Sequence, residues 1–288
     1  MKKTIAAITV GLTLLMTANP SEAVSITLYD GASNVTPDQY NSPSPWLNFA
    51  STTNGTQSVS GGVTTLNTDL STTSNGIYAG YSNYNATVAG STTSPFFTIT
   101  PTTPVNSSFP SLDRNAGYTL SFTVKINSQF NNGTNGANRA GFSIIVLSSD
   151  KQGIELGFRD TEIFAQNNSS FNGGGEQIGS LSTLLGSLTT YDLTVSGNSY
   201  TLTSGSTSLL SGSLRDYTAA TGFAGDIYRT SNFIFLGDDT TSARANISLA
   251  NVSLTVPDQV PEPTTIPGMV LLVGGFWMLK KKYLQSAK

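Results

Sequence analysis

The sequence predicts an all-β protein whose main domain is an antiparallel β-sandwich. Three observations point there. Apolar and polar residues alternate strictly from Tyr118 to Ile126, with Tyr118, Leu120, Phe122, Val124 and Ile126 on one parity and Thr119, Ser121, Thr123 and Lys125 on the other. That period of two belongs to a half-buried strand. Short strand patterns of this kind recur between turn-rich stretches, and no long 3.6-residue pattern interrupts them. The residues between the termini are poor in charge and rich in Ser, Thr, Asn and Gly, a composition that fits short strands and turns once periodicity has argued against disorder.

The elements follow in order. Lys2 and Lys3 precede an apolar run from Ile5 to Met16, and Ser21-Glu22-Ala23 places small residues three and one before a cut between Ala23 and Val24. Residues 1–23 therefore read as a secretory signal peptide. Val24 to Tyr29 is expected as the first strand, Trp46 to Phe49 as a short one and Phe96 to Ile99 as another; the rest of 30–115 carries no clear pattern. Phe142 to Leu147 is apolar at both parities, as in a central strand covered on both faces. Ser149-Asp150-Lys151-Gln152-Gly153 is turn chemistry, after which Ile154, Leu156 and Phe158 alternate again, and Ile163-Phe164-Ala165 follows a second turn.

Leu181 to Leu188 is expected to hold one short helix. Tyr191, Leu193 and Val195 share a face, and Gly197-Asn198 before Tyr200-Thr201-Leu202 signals a hairpin with both turn residues at positive φ. Phe233 to Leu236 is a further buried strand. In the last strand the apolar parity changes, from Ile247 and Leu249 to Val252, Leu254 and Val256, so a β-bulge is expected near Ala250-Asn251.

Composition excludes much chemistry. The chain has no cysteine and no histidine, which removes thiol nucleophiles, thiolate or imidazole zinc sites and histidine general bases. Setting aside residues 1–23 and the tail from Val260 leaves eight basic and fifteen acidic residues, a net charge of −7. Such a body is not expected to bind nucleic acid or anionic lipid.

The tail carries the most specific signal. Pro261-Glu262-Pro263 is followed by an uncharged, largely apolar stretch, Ile266 to Leu279, and then by Lys280-Lys281-Lys282. At a rise of about 1.5 Å per residue the stretch covers roughly 21 Å of helix, short of the roughly 30 Å of a hydrocarbon core. Flanking residues with snorkelling lysines extend it, and the lysines are expected on the cytoplasmic side. This tail, residues 257–288, resembles the PEP-CTERM sorting signal. The resemblance implies export, a transient stay in the inner membrane, processing at Pro261-Glu262-Pro263 by an exosortase, and a final place at the cell surface or in an extracellular matrix rich in polysaccharide.

Within the body, residues 24–256, roughly residues 117–256 are similar in pattern to concanavalin-like and laminin-G-like jelly rolls: Gly141-Phe-Ser-Ile-Ile-Val-Leu-Ser, a turn, Gly153-Ile-Glu-Leu-Gly-Phe, and Tyr191-Asp-Leu-Thr-Val-Ser-Gly-Asn-Ser-Tyr-Thr-Leu carry the likeness. That resemblance raises Ca²⁺ at Asp238-Asp239, since adjacent loop carboxylates supply hard oxygen ligands; the competing reading is a solvated Asp-rich turn. It also raises a glycosidase carboxylate pair among Glu155, Asp160 and Glu162, against which stands a solvated hairpin with an Arg159–carboxylate pair. The polar loop Asn131 to Arg139 reads either as a lectin-like rim for sugar hydroxyls or as a plain connection, and Trp46, Tyr78, Tyr81 and Tyr84 either as stacking rings for carbohydrate or as core and cross-strand partners. Gly173-Gly174-Gly175 lacks the Lys-Ser/Thr of a phosphate loop. The expectation is a non-enzymatic exported protein, with a carbohydrate-binding module as the alternative and a glycan hydrolase last.

Overall fold

In a computed structural model of the chain, the structure describes residues 23–52, 55–69, 78–89, 98–131, 139–167, 173–220, 225–240 and 242–257. The strands are β1 (Ala23–Asp30), β2 (Asn48–Ser51), β3 (Thr56–Ser60), β4 (Val63–Asn67), β5 (Ala79–Ser82), β6 (Tyr84–Ala89), β7 (Thr98–Pro104), β8 (Tyr118–Asn131), β9 (Phe142–Leu147), β10 (Gln152–Phe158), β11 (Ile163–Gln166), β12 (Gly173–Ile178), β13 (Thr189–Ser196), β14 (Ser199–Ser204), β15 (Thr207–Ser213), β16 (Arg215–Asp216), β17 (Phe233–Asp238) and β18 (Ala243–Pro257). Two helical turns join them, α1 (Ser182–Leu185) and α2 (Gly225–Tyr228). Among the described residues no helix is long and apolar enough to cross a membrane.

Every recorded strand pairing is antiparallel. The first sheet runs β15-β14-β13-β8-β18-β4-β3, with β1 also paired to β18. The second runs β12-β11-β10-β9-β17-β5-β2, with β16 beside β10, and β6-β7 form a separate ribbon. The main core lies where side chains of both sheets meet. Leu120, Phe122 and Val124 of β8 and Leu249, Val252 and Leu254 of β18 face Phe142, Ile144 and Val146 of β9 and Leu156 and Phe158 of β10. The Phe122 ring stacks on Tyr191 at 5.6 Å between centroids and meets Phe158 edge-on at 5.7 Å, geometries that suit the ring quadrupoles.

The parity of each strand decides which face it buries. β8 alternates buried and half-exposed residues from Tyr118 to Ile126, as its sequence predicts. β18 buries Ala243, Ala245, Ile247 and Leu249, then Val252, Leu254 and Val256, and its register against β8 shifts between Leu249 and Asn251. The expected bulge is there. It lets one long strand keep its apolar side inward after an extra residue. All six residues of β9 are buried. Ile145 and Leu147 join Tyr217, Tyr228, Phe233 and Phe235 in a second, smaller core on the far face of the second sheet.

Several expectations need correction. In the β13–β14 hairpin Gly197 takes φ +59° while Asn198 is not among the positive-φ residues, so glycine alone supplies the left-handed position there. The second strand begins at Asn48, two residues after Trp46, and the strand expected at Phe96 to Ile99 runs from Thr98 to Pro104. The β3–β4 and β14–β15 hairpins and β5 lie outside these expectations, although Gly61 and Gly62 at φ +60° and +82° and Gly205 at φ +56° mark the two turns. α1 lies within the expected short helix. The signal peptide through Glu22, and the whole tail with Pro261, Glu262, Pro263 and Lys280 to Lys282, lie outside the described residues.

Candidate functional site

The site grows from a charge placed in an apolar strand. Glu155 sits between Ile154 and Leu156 in β10, and alternation turns those two toward the main core and Glu155 to the far face of the second sheet. Across the ladder Glu155 lies opposite Ile145, which lies opposite Phe235. The next row on that face is Gly157, Ser143 and Gly237. A Cβ on Gly157 would meet the Phe164 ring at 2.4 Å, so the ring lies directly over the bare backbone and Ser143 is the one side chain that this row offers.

Four elements close over Glu155. Tyr228 from α2 donates its hydroxyl hydrogen to the Glu155 carboxyl and accepts from Gln166 Nε2 of β11 at 3.4 Å. Ser143 of β9 and Asp239, just past β17, both act on the Glu155 carboxyl. Arg139, just before β9, acts electrostatically on both. Tyr217 stacks on Tyr228 with ring centroids 4.8 Å apart. Glu155 keeps 1 % of its surface. Asp239 keeps somewhat more, but its Oδ1 is enclosed without a partner among the described residues.

Burial pushes the Glu155 carboxyl well above the usual range and the nearby Asp239 charge adds to this, while Tyr228, Arg139 and Ser143 pull the other way. Burial also raises Asp239, against Arg139 and hydrogen bonds that lower it.

The two residues offered to calcium take separate partners. Asp238 is wholly buried. Its Oδ2 accepts from Thr68 Oγ1 at 2.7 Å, and its Oδ1 accepts from Thr240 N at 2.9 Å and Thr240 Oγ1 at 3.0 Å. Asp239 joins Glu155 and Ser143. An ion bridging them would have to displace these bonds, and among the described residues no group of three or more acidic side chains gathers as a metal cage. Asp238 is therefore not a solvated turn residue: it is buried and clamped by Thr68 and Thr240.

Glu155, Asp160 and Glu162 do not converge. Asp160 is exposed in the turn after β10, and Glu162 pairs with Arg159. Arg159 also covers the Phe164 ring, 4.9 Å from its centroid. The aromatic set separates too. Tyr81 is fully buried, with its hydroxyl on Gln57 at 2.9 Å, and Tyr84 packs on Phe233. Trp46 meets Phe109 edge-on at 6.4 Å, and Tyr78 donates its backbone N–H to Thr52 Oγ1 at 3.1 Å. Most of the loop from Asn131 to Arg139 lies outside the described residues. Ser143 and Gln166 lie on β9 and β11, the strands on either side of β10, while Tyr228, 73 residues on, and Asp239 come to Glu155 from a distant part of the chain. The one sequence signal for their meeting is a lone glutamate inside Gly-Ile-Glu-Leu-Gly.

No protein-family model matches the chain, and no curated protein matches it either. Among solved structures it is similar to the carbohydrate esterase vb_24B_21 from Shiga toxin-encoding bacteriophage phi24B, at 9 % identity and a TM-score of 0.44 over 73 % of this chain and 90 % of that one. A protein of unknown function with galectin-like fold from Bacillus subtilis aligns at 7 % identity and a TM-score of 0.42, over 80 % of this chain and 97 % of that one. The alginate lyase AlgAT5 of polysaccharide lyase family 7 aligns at 12 % identity and a TM-score of 0.38, over 69 % and 81 % of the two chains.

Proposed function

We propose that this is an exported, non-enzymatic β-sandwich protein of a bacterial surface or extracellular matrix, delivered by a signal peptide and a PEP-CTERM-like tail. The observation that carries the reading is the tail itself: Pro261-Glu262-Pro263, an apolar stretch and three lysines in that order, beginning four residues past Pro257, where β18 ends. The sheet register supports it. Ala23 pairs with Pro257 and Val24 with Val256, so a cut after Ala23 takes one residue from the pairing and leaves Val24 in place. Both processing points thus flank a domain that needs neither terminus to complete its sheets.

Mass spectrometry of the exported protein tests this. The expected mature chain starts at Val24 and ends near Pro261, and Glu262→Ala should leave the tail attached. A wild-type surface form that still carries Lys288 would overturn the processing step.

One observation favours association with polysaccharide. The outer face of the first sheet is a ladder of hydroxyl and amide groups with few charges: Thr119 to Thr194 at 2.9 Å, Ser121 to Asp192, Thr123 to Thr190 at 2.8 Å, and the Asn127 amide on Asn246 and Ser248 at 2.9 Å each, with Lys125 among them. Such a face offers a glycan chain a row of hydroxyl and amide hydrogen-bonding groups. The protein should co-sediment with an insoluble neutral polysaccharide, and Thr123→Arg with Thr190→Arg should release it. Undiminished sedimentation of that double variant counts against this face, and loss on adding chelator would indicate a calcium-assisted contact instead.

A further inference from the structure

One register shift in the first sheet works against packing. Ile126 of β8 pairs with Ile247 of β18, but Ser128 pairs with Asn246, so Asn127 is an extra residue in β8. The bulge in β18 keeps apolar side chains inside, whereas this one turns an aromatic ring out. Phe130 has the parity of Tyr118 to Ile126, and an unbroken ladder would point it into the sandwich opposite Ala243. After the extra residue it stands opposite Arg244 on the outer face and is 45 % exposed. Every other aromatic side chain among the described residues is buried or half-buried. Re-aiming a side chain is a recurrent use of a bulge.

The ring has polar company. The Arg244 guanidinium lies over it, 4.6 Å from the centroid, an attraction that steadies both groups. The neighbouring rung on this face is Ser128 with Asn246. Ser128 Oγ donates to Asp69 Oδ2 at 3.2 Å, and the Asn127 amide in the bulge is held by Asn246 and Ser248. An apolar ring therefore borders guanidinium and amide donors on one side and a carboxylate acceptor on the other. It also continues the hydroxyl ladder that begins at Thr119.

We infer that this end of the outer face is a subsite for one pyranose unit of a neutral polysaccharide, with the C–H face of the sugar on Phe130 and its hydroxyls on Asn127, Asp69 and Arg244. The subsite rests on the reading of this face as a glycan surface, and it supplies the point of strongest hold. Chemistry selects the class of sugar. A pyranose has an apolar C–H face rimmed by hydroxyls, each able to donate and to accept, so it can use Asp69 as well as the donors. A uronate or sulfated chain would bring its charge against Asp69 and against a body of net charge −7, which repels it at a distance too. The amide and guanidinium are already held by protein contacts, so binding orders little more.

Co-sedimentation of the purified full chain in mild detergent tests the subsite. The neutral probes are amorphous cellulose, curdlan and insoluble mannan, and the acidic probe is cross-linked polygalacturonate. Wild type should bind at least one neutral probe, and Phe130→Ala should weaken that binding by about tenfold. Phe130→Tyr should keep it. Phe130→Leu, which retains apolar bulk without the ring, should lose nearly as much as alanine and serves if alanine does not fold. Wild-type affinity in both the alanine and leucine variants, while Thr123→Arg with Thr190→Arg releases the protein, overturns the subsite and leaves the glycan face standing. No wild-type binding to any neutral probe removes the subsite together with that reading. Preference for polygalacturonate, lost in Arg244→Ala, overturns the neutral class. A dimer in sedimentation velocity that Phe130→Ala converts to monomer, with glycan binding unchanged, overturns the subsite in favour of a second copy of this chain.

Discussion

Replacing Asp238 with alanine should lower the unfolding free energy by about 3 kcal/mol, seen as a lower urea midpoint with an unchanged slope. The residue ends β17 of the second sheet, yet its partners belong to the first. Thr68 follows β4, donates to Asp238 Oδ2, and itself accepts from Ala245 N at 3.0 Å, while Thr68 N donates to Ala245 O at 2.9 Å. Thr240 bonds Asp238 through N and Oγ1 and accepts from Ala243 N at 3.0 Å. One buried carboxyl thus ties the connection into β18 and the end of β4 to β17. Alanine leaves the Thr240 N–H enclosed without its acceptor and opens a gap. Asparagine keeps one oxygen for that N–H, and Thr68 can turn its hydrogen to Ala245 O, 3.1 Å away. Asp238→Asn should therefore cost only about 1 kcal/mol. Equal losses for the two substitutions would show that side-chain volume, rather than hydrogen bonding, holds this rim.

That clamp marks where sequence reasoning ran out. Alternation along β8, the apolar run of β9 and the parity change in β18 are local signals, since a period of two survives whatever the strand pairs with. They predict the sandwich and even its bulge. The β3–β4 hairpin escaped because Thr56-Gln57-Ser58-Val59-Ser60 offers one large apolar residue in five, and its place is fixed by pairing with β18, from Asn67 opposite Asn246 to Thr64 opposite Leu249, far along the chain. The site escaped for the same reason. Asp238 and Asp239 are adjacent, so sequence reading groups them as one chelate. Alternation sends consecutive side chains to opposite faces of a strand, and this pair diverges accordingly, one into the Thr68–Thr240 clamp and one to Glu155 and Ser143. Glu155, Asp160 and Glu162 were grouped by proximity in the chain, yet a strand end and a turn lie between the first and the others. No local pattern could have named Tyr228 as the partner of Glu155, 73 residues before it.

Gly141→Ala should cost about 3 kcal/mol by overpacking the same rim. A Cβ there would lie 2.1 Å from Arg244 C and 2.5 Å from Ala245 N. Both are backbone atoms of β18, so no side-chain rotation relieves the clash. The two sheets touch backbone to backbone at this point, and Ala245 is the residue that Thr68 holds on behalf of Asp238. The substitutions should therefore fail to add. With Asp238 in place, Ala245 is pinned and the new methyl must strain the main chain; with Asp238→Ala, the rim can part to admit it. The double variant is expected to be more stable than the sum of the single losses predicts, by about 1 kcal/mol, within the range seen for residues that share a partner. Urea unfolding of the four proteins measures this coupling. Strict additivity would mean that Gly141 and Asp238 act on separate parts of the rim, and would remove Ala245 as the point through which the two sheets are joined.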